Sequence, residues 1–176
     1  MKKFIMVVAA VAALLMGVTP AFAGAELSVD TFSRHVWRGQ AGPASISIQP
    51  TLDLVSIDSN VGATSIGIWG QIPITDGDTE YDITVSQEAG EYGTVSITSY
   101  YYDGPFLEAD SHDIEVGVDG SFGGVDLFIG RFVSGDDVKD DTYVQIDYEL
   151  DGYNFHVGAG DGSYVAEGDG FALVNV

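Results

Sequence analysis

The run Ser45-Ile46-Ser47-Ile48-Gln49-Pro50-Thr51-Leu52-Asp53-Leu54-Val55 decides the fold. Ile46, Ile48, Pro50, Leu52 and Leu54 recur at every second position. Ser45, Ser47, Gln49, Thr51 and Asp53 fill the places between them. Side chains point to alternate sides along a strand, so this spacing predicts a β-strand with one apolar and one polar face. The same rhythm returns along the chain. Ile66, Ile68 and Ile72 face away from Ser65, Trp69 and Gln71. Tyr81, Ile83 and Val85 oppose Asp82, Thr84 and Ser86. Val95, Ile97 and Tyr101 oppose Thr94, Ser96 and Thr98. Ile114, Val116 and Val118 oppose Asp113, Glu115 and Asp119. Val144, Ile146, Tyr148 and Leu150 oppose Tyr143, Gln145, Asp147 and Glu149. Tyr153, Phe155 and Val157 oppose Asn154 and His156. Helical periodicity is almost absent from these segments.

Two stretches break phase. Arg131 falls in step with Leu127 and Ile129, which predicts a bulge or a strand end. Leu27 to Trp37 changes phase near Thr31 and Phe32. Turn chemistry separates the runs: Asp76-Gly77-Asp78, Ala89-Gly90-Glu91, Asp103-Gly104-Pro105, Gly120 to Gly124, Gly135-Asp136-Asp137, Asp151-Gly152 and Gly160-Asp161-Gly162. Gly120 to Gly124 and Asp151-Gly152 read as tight hairpins. The stretches around Asp76, Pro105, Asp136 and Asp161 read as longer loops. Short and long connections in alternation imply an all-β, up-and-down antiparallel barrel of about ten strands, each near 9–11 residues.

The chain opens MKKFIMVVAAVAALLMGVTPAFA. Lys2 and Lys3, an apolar run from Phe4 to Val18, and the small-residue box Ala21-Phe22-Ala23 form the grammar of a secretory signal peptide over residues 1–23. The apolar run is short for a membrane helix, which needs about 20 residues. Residues 24–176 then form one domain, with no Pro-rich or Ser-rich linker. After cleavage four basic side chains (Arg34, Arg38, Arg131 and Lys139) stand against 27 acidic ones, leaving a net charge of −23. Such a surface repels nucleic acid and attracts cations. The chain has no cysteine, so neither disulfides nor thiolate chemistry contribute.

Alternation does not say which face points inward. A soluble barrel hides the apolar face, and a membrane barrel turns it to lipid. Three features point outward. Lys is nearly missing from the polar faces. The apolar faces are uniform in size. Trp37, Trp69, Tyr81, Tyr92, Tyr100 to Tyr102, Tyr143, Tyr153 and Tyr164 lie near expected strand ends, as interfacial aromatic girdles do. In that orientation Asp53, Asp82, Asp113, Glu115, Asp147 and Glu149 line an acidic lumen. Arg34, Arg38 and Arg131 then pair with such carboxylates or hold lipid phosphates at the surface. The competing reading is a soluble, lipocalin-like barrel, periplasmic or secreted, that binds a small apolar ligand.

Catalytic and metal constellations are weak. His35, His112 and His156 are scattered, no nucleophile motif such as G-x-S-x-G occurs, and no enzyme, cofactor or metal site is expected. Asp136, Asp137, Asp140 and Asp141 crowd one loop, and Asp76, Asp78 and Glu80 another. Neither matches the EF-hand pattern, so both read as solvated acidic loops.

Ser33 to Gln40 contains Val36-Trp37-Arg38-Gly39, in which an aromatic residue leads into Arg-Gly after a short polar lead. Set on the first strand behind a signal peptide, it resembles the opening of the TorF-type porins, which are bacterial outer-membrane barrels. The resemblance implies an outer-membrane location, lipid as the partner, passage of small solutes or cations at most, and Trp37, Arg38 and Gly39 as the shared motif. It carries no catalytic residues. Leu173-Val174-Asn175-Val176 departs from the aromatic ending usual in such barrels, as a twelve-stranded barrel cut short would.

Overall fold

The computed structural model describes residues 25–42, 45–59, 62–75, 77–102, 112–135, 137–165 and 172–175. The signal peptide expected over residues 1–23 lies outside them. Ten strands form one antiparallel sheet in which neighbours in sequence are neighbours in space. They are β1 (Glu26–Phe32), β4 (Ser47–Ser59), β5 (Gly62–Pro73), β6 (Glu80–Glu88), β7 (Thr94–Tyr102), β8 (His112–Phe122), β9 (Val125–Ser134), β10 (Thr142–Leu150), β11 (Tyr153–Gly160) and β12 (Ala172–Asn175). A separate two-stranded hairpin, β2 (Val36–Trp37) and β3 (Gln40–Ala41), lies between β1 and β4. No α-helix occurs among the described residues.

Connections at one rim are short. Gly123-Gly124 and Asp151-Gly152 each join two strands in two residues, and both residues of each pair have positive φ. That is the type I′ geometry whose twist matches a hairpin, and it explains Gly at these places. At the other rim the connections are long, including residues 74–79, 135–141 and 161–171. The expected split into a tight-turn side and a loop side is present.

The register sorts the two faces. Gln49, Thr51 and Asp53 on β4 share a side with Gln71, Trp69 and Gly67 on β5. That row continues through Glu80, Asp82 and Thr84 on β6 to Tyr102, Tyr100 and Thr98 on β7. It runs on through Asp113, Glu115 and Gly117, then Phe132, Gly130 and Phe128, then Tyr143, Gln145 and Asp147. Many of these are covered: Tyr143 is 0% exposed and Glu115 3%. The opposite row is apolar and open. Leu27, Ile48, Ile72, Ile97, Val118, Ile129, Ile146 and Phe155 are all exposed. The greasy side of these strands therefore faces out, with Tyr101 on β7 a buried exception.

The sheet is strongly curled. His35 meets Gln49 on β4, while Gln40 reaches Ser163 just past β11. In a flat sheet β4 and β11 would lie seven spacings, about 34 Å, apart. Trp37 and Gln40 face each other in the hairpin, so the two contacts start from backbone points only about a dozen ångströms apart. The polar row must therefore wrap around the hairpin. β1 and β12 are the ends of the strand order and are not paired with each other.

Interior space is set by glycine. A Cβ on Gly117 would press on Ser96 Oγ and on the Phe128 ring, and one on Gly130 would occupy the place of the Glu115 carboxylate. Replacing Gly130 with Val therefore evicts Glu115, with an overpacking cost of about 1–3 kcal/mol plus the lost ion pair. The expected result is a clear drop in the urea midpoint of the folded protein. An unchanged midpoint would show that the carboxylate has room elsewhere.

Candidate functional site

The interior site is built around a turn. Arg38 (φ 48) and Gly39 (φ 81) form the type I′ corner of the β2–β3 hairpin. The expectation that Val36-Trp37-Arg38-Gly39 lies on the first strand of the sheet is corrected here. β1 ends at Phe32, and the motif forms a hairpin of its own. The phase break near Thr31 and Phe32 marks that departure.

The hairpin places Arg38 in the middle of an aromatic nest. Its guanidinium carbon lies 4.5 Å from the Trp37 ring centre, 4.9 Å from Phe128 and 4.7 Å from Tyr143. Trp37 packs near-parallel on Tyr164 at 5.7 Å and edge-on to Tyr100 at 6.0 Å. Tyr100, Phe132, Tyr143 and Tyr164 form the buried cluster beneath. Within it, Arg38 Nη2 donates to Glu115 Oε2 at 2.8 Å and Nη1 donates to Tyr164 Oη at 2.7 Å. Nη1 also lies 2.8 Å from Glu115 Oε1. That second approach supplies charge but no well-aimed N–H, since Oε1 accepts no hydrogen bond. Tyr100 donates to Oε2 at 2.5 Å. Burial alone would lower the Arg38 pKa, but the Glu115 hydrogen bond and charge outweigh it and hold it above its ordinary value. Burial pushes the Tyr164 phenol up to about 12, against the pull of Arg38.

The other flank of the hairpin rests on His35. Its Nδ1 is 3.1 Å from Gln49 Nε2, and its ring lies 5.4 Å from Trp69. Burial lowers the His35 pKa, so the imidazole is neutral at pH 7 and can accept the Gln49 N–H.

Towards the tight-turn rim the same face opens into an acidic well. Asp119, Asp126, Gln145 and Asp147 line a cavity of about 510 Å³ beside Phe128. Asp147 Oδ1 contacts His156 Nδ1 at 2.6 Å, and its Oδ2 accepts from Gln145 at 2.6 Å.

All six carboxylates expected in the lumen fall on this inner row: Asp53, Asp82, Asp113, Glu115, Asp147 and Glu149. They are not gathered at one point. Glu115 is tied to Arg38, and Asp147 to His156, while Asp53 and Glu149 stay exposed. Arg131 is not inside. It faces outward and pairs with Asp140 at 3.1 Å, both well exposed. Arg34 donates to the Gly42 carbonyl. The girdle expectation needs correction too: Trp69, Tyr100, Tyr102 and Tyr143 belong to the inner row, and Trp37 and Tyr164 pack among them. Tyr92 and Tyr153, strongly exposed at the tight-turn rim, do lie outside, whereas Tyr101 is buried. Of the acidic loops, Glu80 begins β6 on the inner row. Asp141 is buried and accepts from the Ser163 N–H. Asp76 and Asp136 lie outside the described residues. The three histidines are far apart in role, with His112 stacked on Tyr101 at 5.6 Å.

Sequence reading missed the aromatic nest. The signal existed for Tyr143, which shares a row with Gln145 and Asp147, but Tyr100 was masked by its neighbours Tyr101 and Tyr102. No family model, curated protein or solved structure matches the chain.

Two outcomes follow. Arg38→Ala leaves Glu115 buried without a counter-charge, held only by Tyr100, and is expected to cost about 3–5 kcal/mol in unfolding free energy. Adding Glu115→Gln should recover part of that loss. A double variant no more stable than Arg38→Ala would contradict the pairing. For His35, whose pKa is lowered on folding, the stabilisation is fully present above its ordinary value of 6.5 and is lost as pH falls through the lower folded value. The gap in urea midpoint between wild type and His35→Gln should therefore shrink on acidification. A gap that stays constant from neutral to mildly acidic pH would refute this.

Proposed function

We propose that the chain is an outer-membrane β-barrel that turns its apolar row to lipid, with an interior obstructed by its own hairpin. Its role on this reading is structural, or at most a narrow path for small cations. The observation that carries the reading is the outer face. Twenty-three large apolar or aromatic side chains are exposed among the described residues, most of them on the outer row of the sheet. Water-soluble monomers rarely show contiguous apolar patches beyond about 300–600 Å². A lipocalin-like protein needs that apolar row inside, against its ligand. Here the enclosed row is polar and filled by Trp37, Arg38 and the tyrosines around them. No helix among the described residues is long and apolar enough to cross a membrane.

In lipid the free edges of β1 and of β11–β12 would each leave backbone groups unpaired, at several kcal/mol per group. Closure of the sheet into a ring belongs to the same proposal. Kinship with the TorF-type barrels rests on Val36-Trp37-Arg38-Gly39 and the hairpin rhythm.

Residues 24–176, refolded in detergent and in lipid vesicles, should migrate on a gel in a heat-dependent way and resist protease in vesicles. Folded monomers in plain buffer without detergent would overturn the membrane reading. In planar bilayers the wild type should pass little current. Deleting residues 35–41 should raise it and favour cations, because the remaining inner row is acidic. Anion preference in that variant would refute the acidic path.

A further inference from the structure

Three buried side-chain oxygens on the inner row accept no hydrogen bond: Glu115 Oε1 lies beside the Arg38 guanidinium, while Gln71 Oε1 and Asp82 Oδ1 belong to one corner of the sheet without a cation. Gln71 is 7% exposed and its Oε1 is without a partner; Asp82 Oδ1 is likewise enclosed and unpartnered. Buried acceptors left unpaired are costly, and such cases call for a missing ion or water. The register sets Gln71 directly across from Glu80 and Trp69 directly across from Asp82. Opposed positions place Cβ atoms about 5 Å apart, and diagonal ones about 7–8 Å. An amide oxygen and two carboxylates therefore share one patch of the inner face. The Tyr102 hydroxyl, across β6 from Glu80, hydrogen-bonds its carboxylate. Arg38, the cation placed deepest in the interior, is held by Glu115 and Tyr164.

We propose that Gln71 Oε1, Glu80 and Asp82 form a binding site for a hard divalent cation, with calcium as its fitting probe. All the donors are oxygen, and two carboxylates balance a double charge. Calcium accepts irregular sets of six to eight oxygens and completes them with water, whereas magnesium demands a near-octahedral cage. Among the described residues no three carboxylates or imidazoles converge as a metal set. This site uses two carboxylates and an amide instead. It stands independently of the membrane reading, because it depends only on the inner row.

Trp69, facing Asp82 across the β5–β6 ladder, offers a direct readout, since an excited indole close to a bound terbium ion sensitises its emission. The full mature chain, folded in detergent, is titrated with terbium and then with calcium or potassium at matched ionic strength. Expected are sensitised emission, its displacement by calcium but not by potassium, and at least a tenfold loss of affinity in Asp82→Asn and in Gln71→Leu. Glu91→Gln, in the exposed turn at the other rim, should bind as wild type does. If Asp82→Asn fails to fold, Trp69→Phe serves. It should lose the emission yet keep a calcium-dependent rise in unfolding temperature of several degrees. Emission that survives in folded Asp82→Asn, or that potassium removes equally well, would overturn the proposal. So would an unfolding temperature that responds to acidification but not to calcium, since protons rather than a metal would then satisfy these oxygens.

Discussion

Each strand of this sheet meets two different surroundings, one on either side, and its side chains divide between them with a period of two. A slip of one residue would carry every isoleucine inward and every carboxylate outward. Register is therefore the constraint on which the rest depends. It is pinned by type I′ corners such as Asp151-Gly152 and by the pairing of apolar with apolar, as in Ile68 across from Ile83 and Val85 across from Ile97. Once register is fixed, the enclosed face becomes a surface of hydroxyls, amides and carboxylates that only polar or cationic matter can fill.

The molecule supplies part of that filling itself. Arg38 enters as a planar cation, and the interior offers what such a group wants: a carboxylate fork in Glu115, a phenolic oxygen in Tyr164, and ring faces in Trp37, Phe128 and Tyr143. Lysine would satisfy the charge but neither the fork nor the stacking. Room for this arrangement comes from small residues. Gly130 leaves the hollow in which Glu115 lies, and Gly117 accommodates the edge of Phe128. Glycine in a strand interior is usually a weakness; here it is what allows a charged pair to be enclosed.

Much of the sheet was legible in the sequence because alternation is a local signal. Ser45 to Val55 gave away its faces on its own, and so did Tyr143 to Leu150. Arg131 stands in step with the apolar Leu127 and Ile129 and is, like them, an outward residue, close to its strand's end and next to a register shift at Ile114 and Glu115 on the neighbouring strand. The hairpin at Val36 to Ala41 was not legible as an inserted element. Its contacts lie 77 and 126 residues away, and no short-range pattern encodes them. Aromatic residues misled for a related reason. Tyr and Trp near strand ends suit an interface as well as an interior, and only the partners met in space decide between the two.

The sheet's strand order follows the chain, so each ladder closes over a short loop and can form next to the one before it. The β2–β3 hairpin is different. Its resting place needs β7, β8, β9, β10 and the turn at Gly162–Tyr164 to exist already. Although it is made early in the chain, it can dock only after most of the later chain has assembled. Its seating then acts as a late checkpoint in folding, when the last neighbours arrive and the arginine exchanges water for its carboxylate.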